Sequence, residues 1–168
     1  MAMLADIRHI DPPALRHPDA LVLYTYWLKK RGQRLMPSRA DIDPVEIPPQ
    51  VLPGMSLVDV VQDERRYVYR LVGTAEVEAR GFDPTGQSVM EGFLAPNKED
   101  ALGCYDRVVA TRAALMDPVA FKAIDGRYVT EETIFLPLSD DGANVNKILV
   151  FAACREVYDP PAKLHSEI

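Results

Sequence analysis

The sequence predicts a single α+β domain built from one early helix, two strands, a group of short helices, one long helix and three strands. Three observations predict this order. Apolar residues recur at helical spacing in two segments, runs rich in valine and tyrosine have the length of strands, and glycine or proline stands at most junctions. With 168 residues, 48% of them hydrophobic and 26% charged, the composition is that of an ordinary globular protein.

The first predicted helix covers residues 18–31. Pro18 suits a first helical turn, and Gly32 ends the run. Its apolar face is formed by Leu21, Tyr24, Trp27 and Leu28. Residues 1–16 predict an arm that is ordered only by what it contacts, and five prolines between positions 37 and 53 predict a stiff connector with one short turn.

A β-hairpin is predicted next, with strands over residues 55–62 and 65–72 and an Asp-Glu pair at the turn. Thr74 is the expected cap of a short helix that Gly81 closes. The segment DPTG at residues 83–86 predicts a further turn.

The long helix is predicted over residues 97–116, with Asn97 as its cap and an Asp-Pro pair at 117–118 ending it. An Asp-Gly pair at 125–126 is a strong hairpin signal between the first two of the final strands. The final three strands are predicted over residues 119–124, 127–138 and 147–157.

Charge and cysteine content exclude several classes of protein. A net charge of −6 and a single short basic cluster at residues 29–34 disfavour binding to nucleic acid. Two cysteines without a CxxC motif indicate neither a disulfide scaffold nor a structural zinc site, and a reducing compartment fits best. The sequence has no signal peptide and no membrane-spanning run, so we expect a cytoplasmic protein.

Specific motifs resemble those of PAS domains. The segments YRLVGT at residues 69–74 and GFDPTGQ at 81–87 are similar to the strand-to-helix passage and the glycine turn of that family, and LPL at 136–138 is similar to the start of its final hairpin. The upstream segment LMPSRADIDP at 35–44 also resembles a family of small bacterial PAS proteins. The resemblance implies a five-stranded antiparallel sheet with helices on one face, preceded by the N-terminal amphipathic helix.

The resemblance divides the chain into three parts. The PAS-like core is expected over residues 55–157, after an arm, helix and connector at 1–54 and before a solvated tail at 158–168. In such a core a small molecule would bind between sheet and helices and change the packing of the flanking helices. This change in packing would be passed in trans to a separate output protein.

The expected wall of that cavity is aromatic and apolar, with one cation. Arg70 would hold an anionic ligand if it points toward the helices, and would be a solvent-facing strand residue if it does not. The other apolar candidates either line the cavity or fill an ordinary core. The candidate ligand residues are Tyr69, Arg70, Phe82, Met90, Phe93, Tyr105, Phe121 and Phe135.

The sequence leaves the cofactor unknown, although haem and a flavin photoswitch are both disfavoured. The long helix has no histidine for haem iron, and Cys104 lies outside the cysteine motif of flavin-binding PAS domains. Both cysteines are expected to be small core residues, because free cysteine is among the most buried residue types. No metal site is indicated, and the sequence has no GxSxG, HExxH or phosphate loop, so an enzyme is not expected. A ligand-free interaction module and a small α+β hydrolase or isomerase remain as alternatives.

The aromatic helix at residues 18–31 has two interpretations. Tyr24, Tyr26 and Trp27 give it a surface suited to a homodimer interface, which is the preferred hypothesis. The alternative is that the helix covers the outer face of the sheet within one chain.

Overall fold

The computed structural model describes residues 17–92, 98–122, 128–153 and 156–158. The α-helices in these ranges are α1 (Pro18–Arg31), α2 (Thr74–Arg80), α3 (Val89–Gly92) and α4 (Lys98–Thr111). The connector carries 3-10 turns at Arg39–Asp41, Pro44–Glu46 and Leu52–Gly54. The strands are β1 (Met55–Val60), β2 (Tyr67–Val72), β3 (Leu115–Lys122), β4 (Tyr128–Leu138), β5 (Lys147–Ala152) and β6 (Glu156–Tyr158).

The strands form one antiparallel sheet in the order β2-β1-β5-β4-β3. β3 pairs with one side of β4, and both β5 and β6 pair with the other side. β6 therefore continues the position of β5 after a short interruption, and the sheet is five strands wide. The predicted five-stranded antiparallel sheet of an α+β fold is confirmed.

Both faces of the sheet are covered along β4. Phe135 faces Tyr105 of α4, whereas its neighbours Ile134 and Leu136 are fully buried toward the opposite side. The N–H of His17 donates to the carboxylate of Glu132, which shares that opposite side, so α1 packs there. We call the α4 side the helix face and the α1 side the outer face.

Helix α1 is held on the outer face by its own apolar residues. Ala20, Leu23, Tyr24 and Trp27 are buried, and the Trp27 indole donates to the carbonyl of Pro137 at 3.0 Å. The surface assigned to a homodimer is thus largely used within the chain, as in the alternative interpretation. A homodimer stays a prediction, and it would need a surface other than this buried stripe.

Several predicted boundaries are wrong, among them the end of the long helix. The long helix ends at Thr111, because Arg112 takes a left-handed conformation with φ 56°, and Leu115 and Met116 instead begin β3. Pro118 lies inside that strand, where proline is tolerated because β3 is at the sheet edge. The Asp-Gly pair at 125–126 and the proposed cap Asn97 lie outside the described residues.

Among the described residues, no helix combines the length and the apolar character that crossing a bilayer requires.

Candidate ligand site

Four aromatic side chains fill the helix face of the sheet. Tyr67 and Tyr69 come from β2, Phe135 from β4 and Tyr105 from α4, and each is at most 5% exposed. The ring centroids of Tyr67 and Tyr105 are 5.0 Å apart, and the Tyr105 ring meets Phe135 edge-on at 5.2 Å. These contacts join α4 to strands on both sides of the sheet centre.

A charged side chain is enclosed beside these rings. Only 9% of the Arg80 side chain is exposed. Its Nε donates to the carbonyl of Gly92 at 3.1 Å, and its Nη1 donates to the Glu76 carbonyl at 3.0 Å and to the Glu76 carboxylate at 2.8 Å. Its Nη2 donates to the Tyr69 hydroxyl at 3.3 Å. One of its five N–H donors therefore has no acceptor among the described residues.

A close backbone approach brings α3 to Arg80. A Cβ added to Gly92 would lie 2.7 Å from Pro84 Cβ and 2.9 Å from Cε2 of Tyr69. Only glycine therefore lets the α3 backbone pack directly on the Tyr69 ring, where its carbonyl accepts from Arg80. The site thus links β2, α2 and α3.

Glu76 balances the charge of Arg80 one helical turn away. Its side chain is 15% exposed, so the ion pair is largely withdrawn from water. Enclosed ion pairs stabilise proteins weakly because desolvation offsets their attraction, whereas an enclosed charge without its partner is costly. The pair therefore adds little net stability, but the loss of either partner alone would be costly.

The two phenols nearest Arg80 are neutral hydrogen-bonding groups. Burial raises the pKa of Tyr69, although the positive charge of Arg80 acts against this shift. Burial raises the pKa of Tyr105 well above its ordinary value. Tyr69 and Glu76 raise this pKa further, and the positive charge of Arg80 lowers it. The Tyr105 hydroxyl has no hydrogen-bond partner in the described part of the chain, so it can both donate and accept.

The structure brings together three of the predicted site residues, Tyr69, Tyr105 and Phe135. Phe82 and Met90 are 43% and 46% exposed, so they are not enclosed with the other three. Phe93 lies outside the described residues, and Phe121 is placed on β3 by its backbone.

The position of Arg70 corrects the sequence prediction. Val58 pairs with Tyr69 and Leu57 pairs with Leu71, so Arg70 is the extra residue of a β-bulge. The bulge breaks the alternation of β2, and Arg70 is exposed beside Leu71, Leu57 and Lys147 of the outer face. It does not lie between sheet and helices.

Sequence reasoning missed Arg80 and Glu76. An acidic and a basic residue four positions apart on a short helix usually form a solvated surface pair. The available signal was Gly92, since a glycine inside a helical segment indicates a close approach of backbone to a neighbour. That signal does not identify which side chain the glycine admits.

The comparison with protein families agrees with this architecture. A family profile described as PAS domain matches residues 15–151, and the chain belongs to this family. The predicted resemblance is therefore confirmed. PAS domains are sensory domains that are generally not enzymes, and the chain is a sensory-type signalling domain.

Solved structures similar to this chain include three domains from proteins that are described as blue-light photoreceptors or as blue-light activated. Photo-excited Vivid, a blue-light photoreceptor, is 12% identical over 78% of this chain and 94% of its own, with a TM-score of 0.47. The LOV domain of a blue-light activated histidine kinase from Erythrobacter litoralis is 10% identical over 62% and 95%, with a TM-score of 0.45. The light-state Aureochrome1 LOV domain is 9% identical over 62% and 82%, with a TM-score of 0.46. No curated protein matches the chain.

Proposed function

We propose that this PAS domain is a ligand-responsive sensor that holds a small molecule between the sheet and helices α2–α4. A change in helix packing on binding would then be passed to a partner protein. The observation that supports this most is the enclosed Arg80, which has one N–H without an acceptor among the described residues. The buried Tyr105 hydroxyl on the same face of the sheet has no partner among the described residues either. Convergent polar groups in an apolar interior are typical of ligand sites.

The chemistry of the site favours a neutral ligand with an oxygen acceptor. Glu76 already balances the charge of Arg80, so burying a further anion would leave an unbalanced negative charge. A carbonyl or amide oxygen can accept from Arg80 and from Tyr105 without that cost. The expected anionic ligand depended on Arg70, which is exposed on the outer face.

The rings determine the remainder of the ligand. Tyr69, Tyr105 and Phe135 present flat, apolar surfaces beside the polar groups. A planar or aliphatic body with a polar end would therefore complement the site.

The hydrogen bond from Arg80 to Gly92 gives a route for the signal. A ligand oxygen that draws the guanidinium toward Tyr105 would lengthen or break this bond at 3.1 Å, and α3 would lose one of its attachments to α2. A ligand shifts such an equilibrium only by its difference in affinity for the two arrangements. The shift in helix packing would thus depend on ligand contacts that form only when Arg80 has moved away from Gly92.

Native mass spectrometry of the purified protein tests the proposal. We expect an additional mass that is lost on denaturation. Tyr105→Phe removes one hydroxyl from a folded core and should lower affinity about three- to tenfold, the equivalent of one hydrogen bond. Arg80→Met should lower it further, whereas Arg112→Met, at an exposed position beyond α4, should retain the ligand.

Two results would contradict the proposal. A bare chain, both as purified and after incubation with a metabolite extract, would favour the ligand-free interaction module. A bound mass unaffected by Tyr105→Phe and Arg80→Met would place the ligand elsewhere.

A further inference from the structure

A groove of about 380 Å³ lies on the outer face of the sheet, on the opposite side from Arg80. It is lined by three cationic and two apolar residues, which come from the connector and from β1, β2 and β5. They are Arg39, Arg70, Lys147, Leu57 and Leu71.

The β-bulge in β2 leaves a cation and an apolar residue side by side at this groove. Because Arg70 is the extra residue opposite β1, its side chain lies on the same side as the adjacent Leu71. Arg70 is exposed and makes no hydrogen bond or ion pair among the described residues. Its guanidinium is free to bind an anion through two N–H groups at once.

The other two cations are held in place by the protein. Nη1 of Arg39 donates to the carbonyl of Ile42 at 2.8 Å, which restrains its guanidinium. The Lys147 ammonium pairs with the Asp59 carboxylate at 2.6 Å. The three cations and this one carboxylate leave the groove with a net positive charge in a chain whose total charge is −6.

Apolar surface lies between the charges. Leu57 is 9% exposed at the floor of the groove, while Leu71 beside it is 58% exposed. A free inorganic anion would gain nothing from covering Leu71. A segment that presents both a carboxylate and an aliphatic side chain would satisfy the cations and bury this surface together.

We infer that this groove docks an acidic, aliphatic segment of a partner protein. The inference depends on the proposed function only in requiring a partner, because the residues involved are on the opposite face from the ligand site. Charge complementarity identifies the segment: aspartate or glutamate opposite Arg70 and Arg39, with leucine- or isoleucine-like side chains over Leu71. The negative charge of much of the chain would repel such a segment elsewhere, and the cations of the groove would attract it.

The test is amide NMR of the isotope-labelled full chain, titrated with a blocked peptide of alternating leucine and glutamate. We expect shifts at Leu57, Arg70, Leu71 and Lys147 that decrease as salt is added. Arg70→Gln should weaken the binding about tenfold, since it removes a charge-assisted contact. Arg112→Gln removes the same charge at an exposed position after α4 and should leave the affinity unchanged.

Four outcomes would overturn the inference. The first two are equal binding of a peptide with lysine in place of glutamate, and unchanged affinity in Arg70→Gln. The third is that inorganic phosphate produces the same shifts and displaces the peptide, which would assign a small-anion site. The fourth is that the shifts appear when the protein alone is concentrated, which would assign the groove to a second copy of the chain. The Arg80→Met variant separates the two proposals. It should still bind the peptide even where it has lost its ligand.

Discussion

The docking of α1 on the sheet leads to a quantitative prediction for Trp27. This residue is 1% exposed, and its indole Nε1 donates to the carbonyl of Pro137, which is also buried. Replacing Trp27 with alanine should lower the free energy of unfolding by about 3–5 kcal/mol, the usual loss for a large buried aromatic residue. Trp27→Phe retains most of the packing but leaves the carbonyl without its donor, which should cost about 1–3 kcal/mol.

Unfolding in chemical denaturant is monitored by circular dichroism. Tryptophan fluorescence cannot serve as the probe, because Trp27 is the only tryptophan and both variants lack it. Val22→Ala is the matched control on the same helix: Val22 is 39% exposed, and we expect a change within about 0.5 kcal/mol. The loss at Trp27 should also be independent of protein concentration, since the contact lies within one chain. A loss below about 1 kcal/mol for Trp27→Ala, or one that depends on concentration, would refute the packing argument.

Three further predictions concern the ligand site and its supports. Glu76→Gln should lower the free energy of unfolding by about 3 kcal/mol, because it leaves the Arg80 charge enclosed without a partner. In a double-mutant cycle, adding Arg80→Met should recover most of this loss. Gly73→Ala should severely destabilise the fold, since a Cβ there would lie 2.3 Å from a backbone oxygen. Gly103 on α4 has open space around it, so Gly103→Ala should raise the free energy of unfolding by about 0.5–1 kcal/mol. Because burial raises the pKa of Tyr105, its contribution to stability is present below the ordinary phenol pKa and is lost as pH rises above it. Tyr105→Phe should therefore lose less stability than the native chain on going to alkaline pH, as measured by urea denaturation.

Each of these predictions has a clear contrary result. Additive losses in the Glu76 and Arg80 cycle would mean that the two charges do not interact. Equal stability of the Gly73 and Gly103 variants would contradict the close approach at Gly73. Parallel alkaline profiles for the native chain and Tyr105→Phe would mean that this phenol is not shifted by burial.

Elements with local end signals could be predicted from the sequence. Helix α1 has the predicted bounds because Pro18 fixes its first turn and Gly32, with φ 58°, ends it. Helix α2 begins at Thr74, one residue before the predicted start, and ends before Gly81 as predicted, since Gly81 takes a left-handed conformation. In each case the residues that determine the boundary are adjacent to it in sequence.

Features set by tertiary pairing could not be predicted in the same way. The end of α4 was predicted too late because Leu115 and Met116 continue the helical spacing, yet pairing with β4 draws them into β3. Arg70 lies on the outer face because its neighbour Tyr69 faces the helices, and the bulge opposite β1 brings Leu71 to the outer face as well. The sequence of β2 does not show which of its two faces the helices cover. The enclosure of Arg80 depends on the approach of α3 from beyond the following turn, which local patterns do not encode.

The most direct test of the proposed sensor is NMR of the Arg80 guanidinium in protein with isotope-labelled arginine. Spectra would be compared before and after the small-molecule fraction is removed by denaturation, dialysis and refolding. Ligand binding through Arg80 predicts that its Nε–H resonance moves on removal and returns when the fraction is restored, while that of Arg70 on the opposite face stays unchanged. An Arg80 resonance that is identical in all three samples would contradict the account.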